Sequence, residues 1–212
     1  MELPMGTGPL NSQRFVQQEN KRLQRENEDL RQEVETLHNV LDALRALQEV
    51  SMNIDARTNV LSLLDRILES ALAVIGSNDG SLMLIDNDKS ELVFVVVHGS
   101  VSHKLVNHRI PLGQGIAGWV AKNGRAVMIP NVHADPRFSA AVDRDFGFNT
   151  RSLICVPLNL HTRTMGVIQA INKSDGEEFT RADLTLLGVV AQLAAVALSK
   201  AEDAIQAEEN KE

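Results

Sequence analysis

A seven-residue repeat of apolar side chains occupies the N-terminal part of the chain and restricts it to a long helix that packs against another helix. No Gly or Pro interrupts residues 15–50. The d positions are Val16, Leu23, Leu30, Leu37 and Leu44, and the a positions are Asn20, Asn27, Val34, Leu41 and Gln48. Sustained occupancy of a and d is typical of a coiled coil. We therefore predict a flexible tail over residues 1–14 and a coiled-coil dimerisation helix over residues 15–50.

The polar a positions favour a parallel homodimer. Asn20 and Asn27 fall at consecutive a positions, and a buried Asn pairs best with itself across a parallel two-stranded interface. Glu26 at a g position faces Arg31 at an e position of such a partner. The predicted interface comprises Leu23, Asn27, Leu30, Val34, Leu37, Leu41 and Leu44. The alternative is a single solvated helix packed on its own domain, and the narrow apolar stripe argues against it.

Beyond the coiled coil the hydrophobic period changes from that of a helix to that of strands. Residues 60–75 form an amphipathic helical pattern that Gly76 ends. Strands are predicted over residues 81–85, 92–97, 126–129, 152–158 and 165–171, with a further short strand ending at Ile110. A last helix is predicted to begin near Thr180. This order indicates an α+β domain over residues 51–202 with a mostly antiparallel sheet, followed by a charged tail over residues 203–212.

The charge and the lone cysteine limit the expected partners and compartment. The formal net charge of −7 argues against a nucleic-acid partner, because binding of phosphates needs a basic face. No apolar run approaches the roughly 20 residues of a membrane span, so no membrane partner is predicted. Cys155 has no second cysteine with which to pair, and the cytoplasm is the expected location.

A glycine-rich string raises the question of a dinucleotide site. Residues 113–118 fit the GxGxxG pattern, but a dinucleotide site needs a buried strand before this string and a long helix after it. Residues 107–111 are too polar for such a strand, and Gly124 closes the following helix early. The six histidines lack metal-ligand spacing, and Cys155 is expected to be an inert buried thiol. We predict no catalytic set and no metal site, and hence a protein that is not an enzyme.

Several strings together resemble the GAF domain family. They are SLMLID at residues 81–86, GQGIAGWV at 113–120, DPRF at 135–138, GFNTRSLICVPL at 147–158, GVIQAINK at 166–173 and FT at 179–180. The resemblance implies a central antiparallel sheet flanked by helices, with a small-molecule pocket on one face. Within the family the chain is most similar to the GAF domains of cyclic-nucleotide phosphodiesterases and cyclases.

A motif of that branch implies how the pocket is braced. Asn172, Lys173 and Asp183 match the motif, whereas Leu184 stands where the family has Glu. In the family the Lys and the Asp form a pair, so these three matching residues are the expected bracing residues. A helix-capping pattern that starts at Thr180 explains Asp183 equally well.

The resemblance also implies a set of ligand-binding residues. They are Ser81, Val97, His98, Ile116, Ala117, Asp143, Phe146, Thr150 and Gln169. His98 stands where the family usually has an acidic residue that reads the base, and Phe146 replaces a small hydroxyl residue. An imidazole can hydrogen-bond a purine edge and a phenyl ring can stack on it, yet both side chains can equally fill the cavity. Three alternatives stay open: a cyclic nucleotide (cyclic AMP or cyclic GMP), another small molecule, or no ligand.

Two functions fit these features. One is a sensory regulator that binds a small molecule and signals through the helical dimer interface to an output partner that the sequence does not identify. The other is a ligand-free module for dimerisation and docking, which the coiled coil and the apolar stripe of the last helix favour. A third idea is a transcription or second-messenger regulator whose effector domain lies elsewhere.

Overall fold

The computed structural model describes residues 13–27, 30–31, 34 and 60–209. The chain divides into two compact units, Met1–Asn39 and Val40–Glu212, and each is described by itself. In the first unit, residues 13–27 are helical (α1), as are residues 30, 31 and 34. Leu37, Leu41 and Leu44 of the predicted interface lie outside the described residues, as do residues 1–12 of the predicted tail.

The helical residues of the first unit present a row of apolar side chains to solvent. Val16, Leu23, Leu30 and Val34 are between 50% and 55% exposed. On the surface beside this row, the Arg22 guanidinium donates a hydrogen bond to the carboxylate three residues earlier. Isolated helices are marginal in water, and most helices are stabilised by burial of their apolar face. Burial of this row against another helix would therefore stabilise α1, and the coiled coil stays a prediction.

The second unit is built from a six-stranded sheet with helices packed on its two faces. In chain order its elements are α2 (Val60–Ile75), β1 (Ser77–Asp86), β2 (Glu91–His98), α3 (Ser102–Leu105), β3 (Arg109–Pro111), α4 (Gly115–Asn123), β4 (Val127–Ile129), a short 3₁₀ turn (Val132–Ala134), α5 (Ala141–Phe146), β5 (Leu153–Leu160), β6 (Arg163–Lys173) and α6 (Arg181–Glu209). The strand order is β3-β2-β1-β6-β5-β4, and every neighbouring pair is antiparallel. The predicted α+β class with an antiparallel sheet is confirmed.

Both faces of the sheet are covered, which explains why its strands are apolar along their length. Leu82 and Ile168 are buried on the face that carries α2 and α6, whereas Met83 and Val167 are buried on the opposite face together with α4. Side chains alternate between the faces of a strand, so a strand with two buried faces needs apolar residues at successive positions. Full burial of each such side chain contributes about 1.5–3 kcal/mol.

A bulge in β2 changes which of its side chains face which layer. Met83 pairs with Phe94, but Leu82 pairs with Val96, so Val95 is an extra residue on β2. The side chains after a bulge point to the opposite face from the one that simple alternation predicts. Phe94 consequently packs in the layer of α4 and Val96 in the layer of α2. Val97 returns to the layer of α4.

Helix α6 is apolar because it is a core helix. Within the described ranges it is the one helix long and apolar enough to cross a membrane by length and composition. Half of that apolar window is buried inside the domain, where Leu187 and Ala194 are fully buried against α2 and the sheet. The helix continues as far as Glu209, which places it in the range predicted as a charged tail.

Candidate functional site

A cavity of about 100 Å³ lies between the sheet and the segment that contains α4 and α5. The structure places most of the predicted ligand-binding residues in its wall, namely Ser81, Val97, His98, Ile116, Ala117, Asp143, Thr150 and Gln169. Phe146 is not in the wall: its ring meets the edge of His108 with the ring centroids 5.0 Å apart. Phe148, two residues later, lines the cavity instead.

The sheet side of the cavity carries a buried polar pair. Ser81 on β1 and Gln169 on β6 face each other in register, and they are only 2% and 8% exposed. The amide Nε2 of Gln169 donates a hydrogen bond of 3.0 Å to Oγ of Ser81. The amide Oε1 has no hydrogen-bond partner among the described residues. Every fully buried side-chain N or O atom in that part of the chain does have a partner, so Oε1 is not fully buried, and Gln169 lines the cavity. This oxygen is therefore open to the cavity and can accept a hydrogen bond.

The glycine-rich string turns the chain into α4 rather than building a dinucleotide site. Gly113 and Gly115 have φ angles of 92° and 67°, which L side chains rarely adopt. A Cβ on Gly118 would lie 2.8 Å from the backbone N of Gly113, so a side chain there would displace the turn. Helix α4 begins at Gly115, within the glycine-rich string itself. The glycines thus bring the N-terminus of α4 to the cavity.

The first turn of α4 offers free hydrogen-bond donors. The backbone N–H groups of Gly115, Ile116 and Ala117 have no acceptor within the part of the chain that the structure describes, and all three residues line the cavity. Gln114, at the N-cap position, makes no side-chain capping bond. Because unpaired N–H groups and the helix dipole both concentrate positive charge at a helix N-terminus, this edge of the cavity favours a negatively charged group.

Asp143 and Thr150 hold α5 against the segment that leads into β5. One carboxylate oxygen of Asp143 accepts the Thr150 N–H at 2.7 Å, and the other accepts its Oγ1–H at 2.8 Å. Thr150 is only 4% exposed. Both carboxylate oxygens therefore have partners within the protein. We call this pair the latch.

The loop before α5 is tied to α4 by an arginine. Arg137 donates from Nε and Nη2 to the two carboxylate oxygens of Asp135, at 2.9 and 2.6 Å. The hydrogen bond from Arg137 lowers the pKa of Asp135 below its usual range. The same guanidinium stacks over the ring of Trp119 on α4, 4.4 Å from its centroid. Together these contacts fix the loop as part of the cover over the cavity.

The bracing residues hold two different segments. The Lys173 ammonium lies 3.2 Å from Oδ2 of Asp183. Asp183 also forms a reciprocal capping box with Thr180, so the ion pair and the helix cap coexist. The side chain of Asn172 instead accepts the N–H of Arg151 at 2.8 Å and donates to the carbonyl oxygen of residue 149. Asn172 therefore positions the backbone on both sides of the latch threonine.

His98 does not point its ring nitrogen at the cavity. Its Nε2 lies 2.9 Å from Oδ1 of Asp65 on α2, in the layer that the bulge in β2 assigns to this position. Asp79 on the neighbouring strand β1 also lines the cavity, and its carboxylate has no hydrogen bond or ion pair among the described residues. The sequence prediction missed Asp79 because residues 77–80 read Ser-Asn-Asp-Gly, which is typical of a turn.

The remaining reactive groups are buried or dispersed. Burial raises the pKa of the Cys155 thiol far above its usual range, which keeps the sulfur protonated and unreactive. Within the described ranges, no three His, Cys, Asp or Glu side chains lie close enough together to hold a metal ion.

Comparison with known sequences gives a consistent match. The sequence model of the GAF domain matches residues 59–198. The chain is 30% identical over 183 residues to the Probable 3',5'-cyclic phosphodiesterase pde-5 of Caenorhabditis elegans, which covers 81% of this chain and 24% of that protein. It is 34% identical over 169 residues to the Dual 3',5'-cyclic-AMP and -GMP phosphodiesterase 11A of Takifugu rubripes, covering 75% of this chain and 18% of that protein.

Solved structures share the fold. The GAF domain from a phosphoenolpyruvate-protein phosphotransferase of Coxiella burnetii superposes with a TM-score of 0.66 at 16% identity, over 78% of this chain and 97% of that one. The free methionine-R-sulfoxide reductase from Neisseria meningitidis, solved in complex with its substrate, gives a TM-score of 0.62 at 24% identity, over 76% of this chain and 89% of that one. These similarities concern the fold alone.

Proposed function

Because the chain belongs to the GAF domain family, we propose that this domain is a regulatory sensor that binds a cyclic nucleotide in the cavity under α4 and α5. The proposal assigns the domain a binding role and no catalytic one. Its only cysteine is a buried, protonated thiol, and the Asp143 carboxylate is already occupied by Thr150.

The N-terminus of α4 is the observation that carries this proposal. Gly115, Ile116 and Ala117 each bring an unpaired N–H group to the cavity wall. A cyclic phosphate is a compact anion with several acceptor oxygens, and a helix N-terminus is a ready site for such a group. On the sheet side, the open Oε1 of Gln169 can accept a hydrogen bond from the base or the ribose hydroxyl.

The relatives support this class of ligand. Both are named as phosphodiesterases of 3',5'-cyclic nucleotides, and one is named for cyclic AMP and cyclic GMP together. The chain spans 24% and 18% of their lengths, so the similarity concerns the GAF region and not the whole of either protein. Cyclic AMP and cyclic GMP are accordingly the first ligands to test.

The size of the cavity implies a movement on binding. Its volume of about 100 Å³ is below the roughly 300–1,000 Å³ of pockets that enclose drug-sized ligands. A nucleotide therefore needs the segment that contains α4 and α5 to move outward, and the latch between Asp143 and Thr150 is one of the contacts that resist this movement. A ligand that prefers the open arrangement shifts the population toward it.

We further propose that the protein works as a parallel homodimer through α1. The exposed row that includes Leu23 and Leu30 continues the seven-residue repeat, and Asn27 provides a polar a position that favours two parallel strands. A change of the cavity could then be transmitted to a helical interface, which is a common form of switching.

A second candidate function is a ligand-free module for dimerisation and docking. The small cavity volume favours it, as does the fact that the polar residues of the wall partly satisfy one another. Gln169 bonds Ser81 and Asp143 bonds Thr150. Such a domain would keep the GAF fold without using its pocket.

A thermal-shift titration of the full chain with cyclic AMP and cyclic GMP separates the two candidates. At a concentration about 100 times its Kd, a ligand adds about 2.7 kcal/mol of stability, which corresponds to about 5–10 °C in a domain of this size. Ala117→Leu narrows the cavity and should abolish the shift relative to its own unliganded Tm. Ala73→Leu, on the exposed side of α2, is the matched control and should keep it. If neither nucleotide shifts the wild-type Tm, the sensor proposal is wrong and the ligand-free module is favoured.

A further inference from the structure

The carboxylate of Asp79 is a charged group in the cavity wall that the fold does not use. Its backbone N–H donates a weak hydrogen bond to Oγ of Ser77, but the carboxylate accepts no hydrogen bond and forms no ion pair in the described part of the chain. Asp79 is half-buried and lines the cavity. Because burying an unpaired charge is costly, a ligand that enters here must supply hydrogen-bond donors to this carboxylate.

The position of this carboxylate is fixed by its surroundings. Asp79 sits on β1 opposite Ile171 of β6, which holds its backbone in the sheet. A Cβ on Gly99 would overlap Oδ1 of Asp79, so the backbone after β2 packs directly on the carboxylate and leaves it no room there. A group that is already held in place loses little entropy when it binds.

The neighbouring polar side chains have partners of their own. His98, the residue that the sequence placed at the base-reading position, is paired with Asp65 on the opposite face of the sheet. The Asp143 carboxylate is occupied by Thr150. Among the described residues of the cavity wall, Asp79 is therefore the anionic acceptor that remains available to a bound molecule.

The chemistry of a carboxylate discriminates between purines. Guanine presents two adjacent donors, a ring N–H and an exocyclic amino group, and the two oxygens of a carboxylate can accept one hydrogen bond from each in a bidentate pair. Adenine presents an amino group beside a ring nitrogen that is itself an acceptor, so one carboxylate oxygen would face a lone pair. A site built to accept hydrogen bonds disfavours an analogue that lacks the donor.

We propose that Asp79 reads the donor edge of the base and selects cyclic GMP over cyclic AMP. This inference rests on the proposed cyclic-nucleotide binding and adds its specificity. The phosphate lies at the N-terminus of α4, and the base lies with its donor edge toward Asp79.

Isothermal titration calorimetry of the full chain with each nucleotide tests the assignment. We expect the wild type to bind cyclic GMP at least about tenfold more tightly than cyclic AMP, a difference of about 1.4 kcal/mol. Asp79→Asn keeps the shape of the side chain and removes its charge, and Asp79→Ala removes the acceptor altogether. Both should weaken cyclic GMP binding at least about tenfold and change cyclic AMP binding by much less.

Asp88→Asn is the matched control. Asp88 lies in the exposed turn between β1 and β2 and loses the same charge, so it should leave both affinities unchanged. Circular dichroism melts without nucleotide confirm that each variant is folded.

The outcomes separate this inference from the proposed function. If the wild type binds a cyclic nucleotide but both Asp79 variants keep its preference, the assignment of Asp79 is wrong and the sensor proposal stands. A preference of the wild type for cyclic AMP would equally contradict the proposal that Asp79 recognises guanine. If the wild type binds neither nucleotide, the sensor proposal fails, and the role of Asp79 fails with it.

Discussion

The latch between α5 and the segment before β5 offers a quantitative test of how the cavity is closed. Asp143→Ala removes a carboxylate that accepts two short hydrogen bonds, at 2.7 and 2.8 Å, from the N–H and hydroxyl of Thr150. Thr150 is buried, so its N–H is left without a partner in the variant. Thr150→Val removes only the hydroxyl bond and keeps the bond from the backbone.

The geometry sets the expected size of the effect. A hydrogen bond to a charged group is worth about 1.5–3 kcal/mol. Asp143 is partly exposed, and two bonds to one carboxylate are not additive, so the lower end of that range applies. We expect Asp143→Ala to lower the free energy of unfolding by about 2 kcal/mol and Thr150→Val by about 1 kcal/mol. The corresponding decreases in Tm are about 4–8 °C and 2–4 °C.

Urea denaturation and differential scanning calorimetry of the two variants and their double mutant measure these values. Because the residues share their bonds, the double mutant should lose less stability than the sum of the single losses. Thr185→Val is the control, since the Thr185 hydroxyl bonds a backbone carbonyl on the exposed surface of α6 and should cost less than about 0.5 kcal/mol. An Asp143→Ala variant as stable as this control would refute the latch.

Two further predictions concern the glycine-rich turn that leads into α4 and the proposed dimer. Gly118→Ala places a Cβ 2.8 Å from the backbone of the preceding turn and should lower the free energy of unfolding, measured by urea denaturation, by about 1–3 kcal/mol. Gly188→Ala on α6 is the control: its Cβ would meet nothing within 4 Å, so it should raise the free energy of unfolding by up to about 1 kcal/mol. Equal effects of the two substitutions would contradict the close packing at Gly118. Leu30→Asp should convert a dimer to a monomer in light scattering, whereas a wild type that is already monomeric at micromolar concentration would contradict the coiled coil.

The fold class could be predicted because most strands are set by local pattern. Alternating and continuous apolar runs located the strands around Leu82, Ile154 and Ile168 with errors of a few residues. The start of β1 could not be found in this way. Ser77 bonds the carbonyl oxygen of Ile171, 94 residues away in sequence, and this distant partner makes a strand of residues that read as a turn. For the same reason the sequence did not identify Asp79 as a residue of the cavity.

The residues of the site could be predicted better than their orientations. Resemblance to the family identified Asp143, Thr150 and Gln169 as cavity residues, but not that the first two bond each other. The face of His98 depends on the bulge at Val95, which no alternation in β2 reveals.

The prediction that Phe146 lines the cavity was wrong for a related reason. Gly147 adopts a φ angle of 69° and turns the chain sharply between Phe146 and Phe148. The two rings consequently leave the backbone in different directions, and only the second lines the cavity. A motif match fixes a position along the chain, whereas the rotation of a side chain depends on such local turns.

Binding of a nucleotide at the N-terminus of α4 can be observed at the donor groups themselves. Two-dimensional ¹H–¹⁵N spectra of the labelled full chain, recorded with increasing cyclic GMP or cyclic AMP, report each backbone amide separately. If a phosphate is bound there, the amide resonances of Gly115, Ile116 and Ala117 should show the largest changes, because these N–H groups gain an anionic acceptor. Unchanged resonances at these three residues at millimolar nucleotide would contradict the proposed sensor.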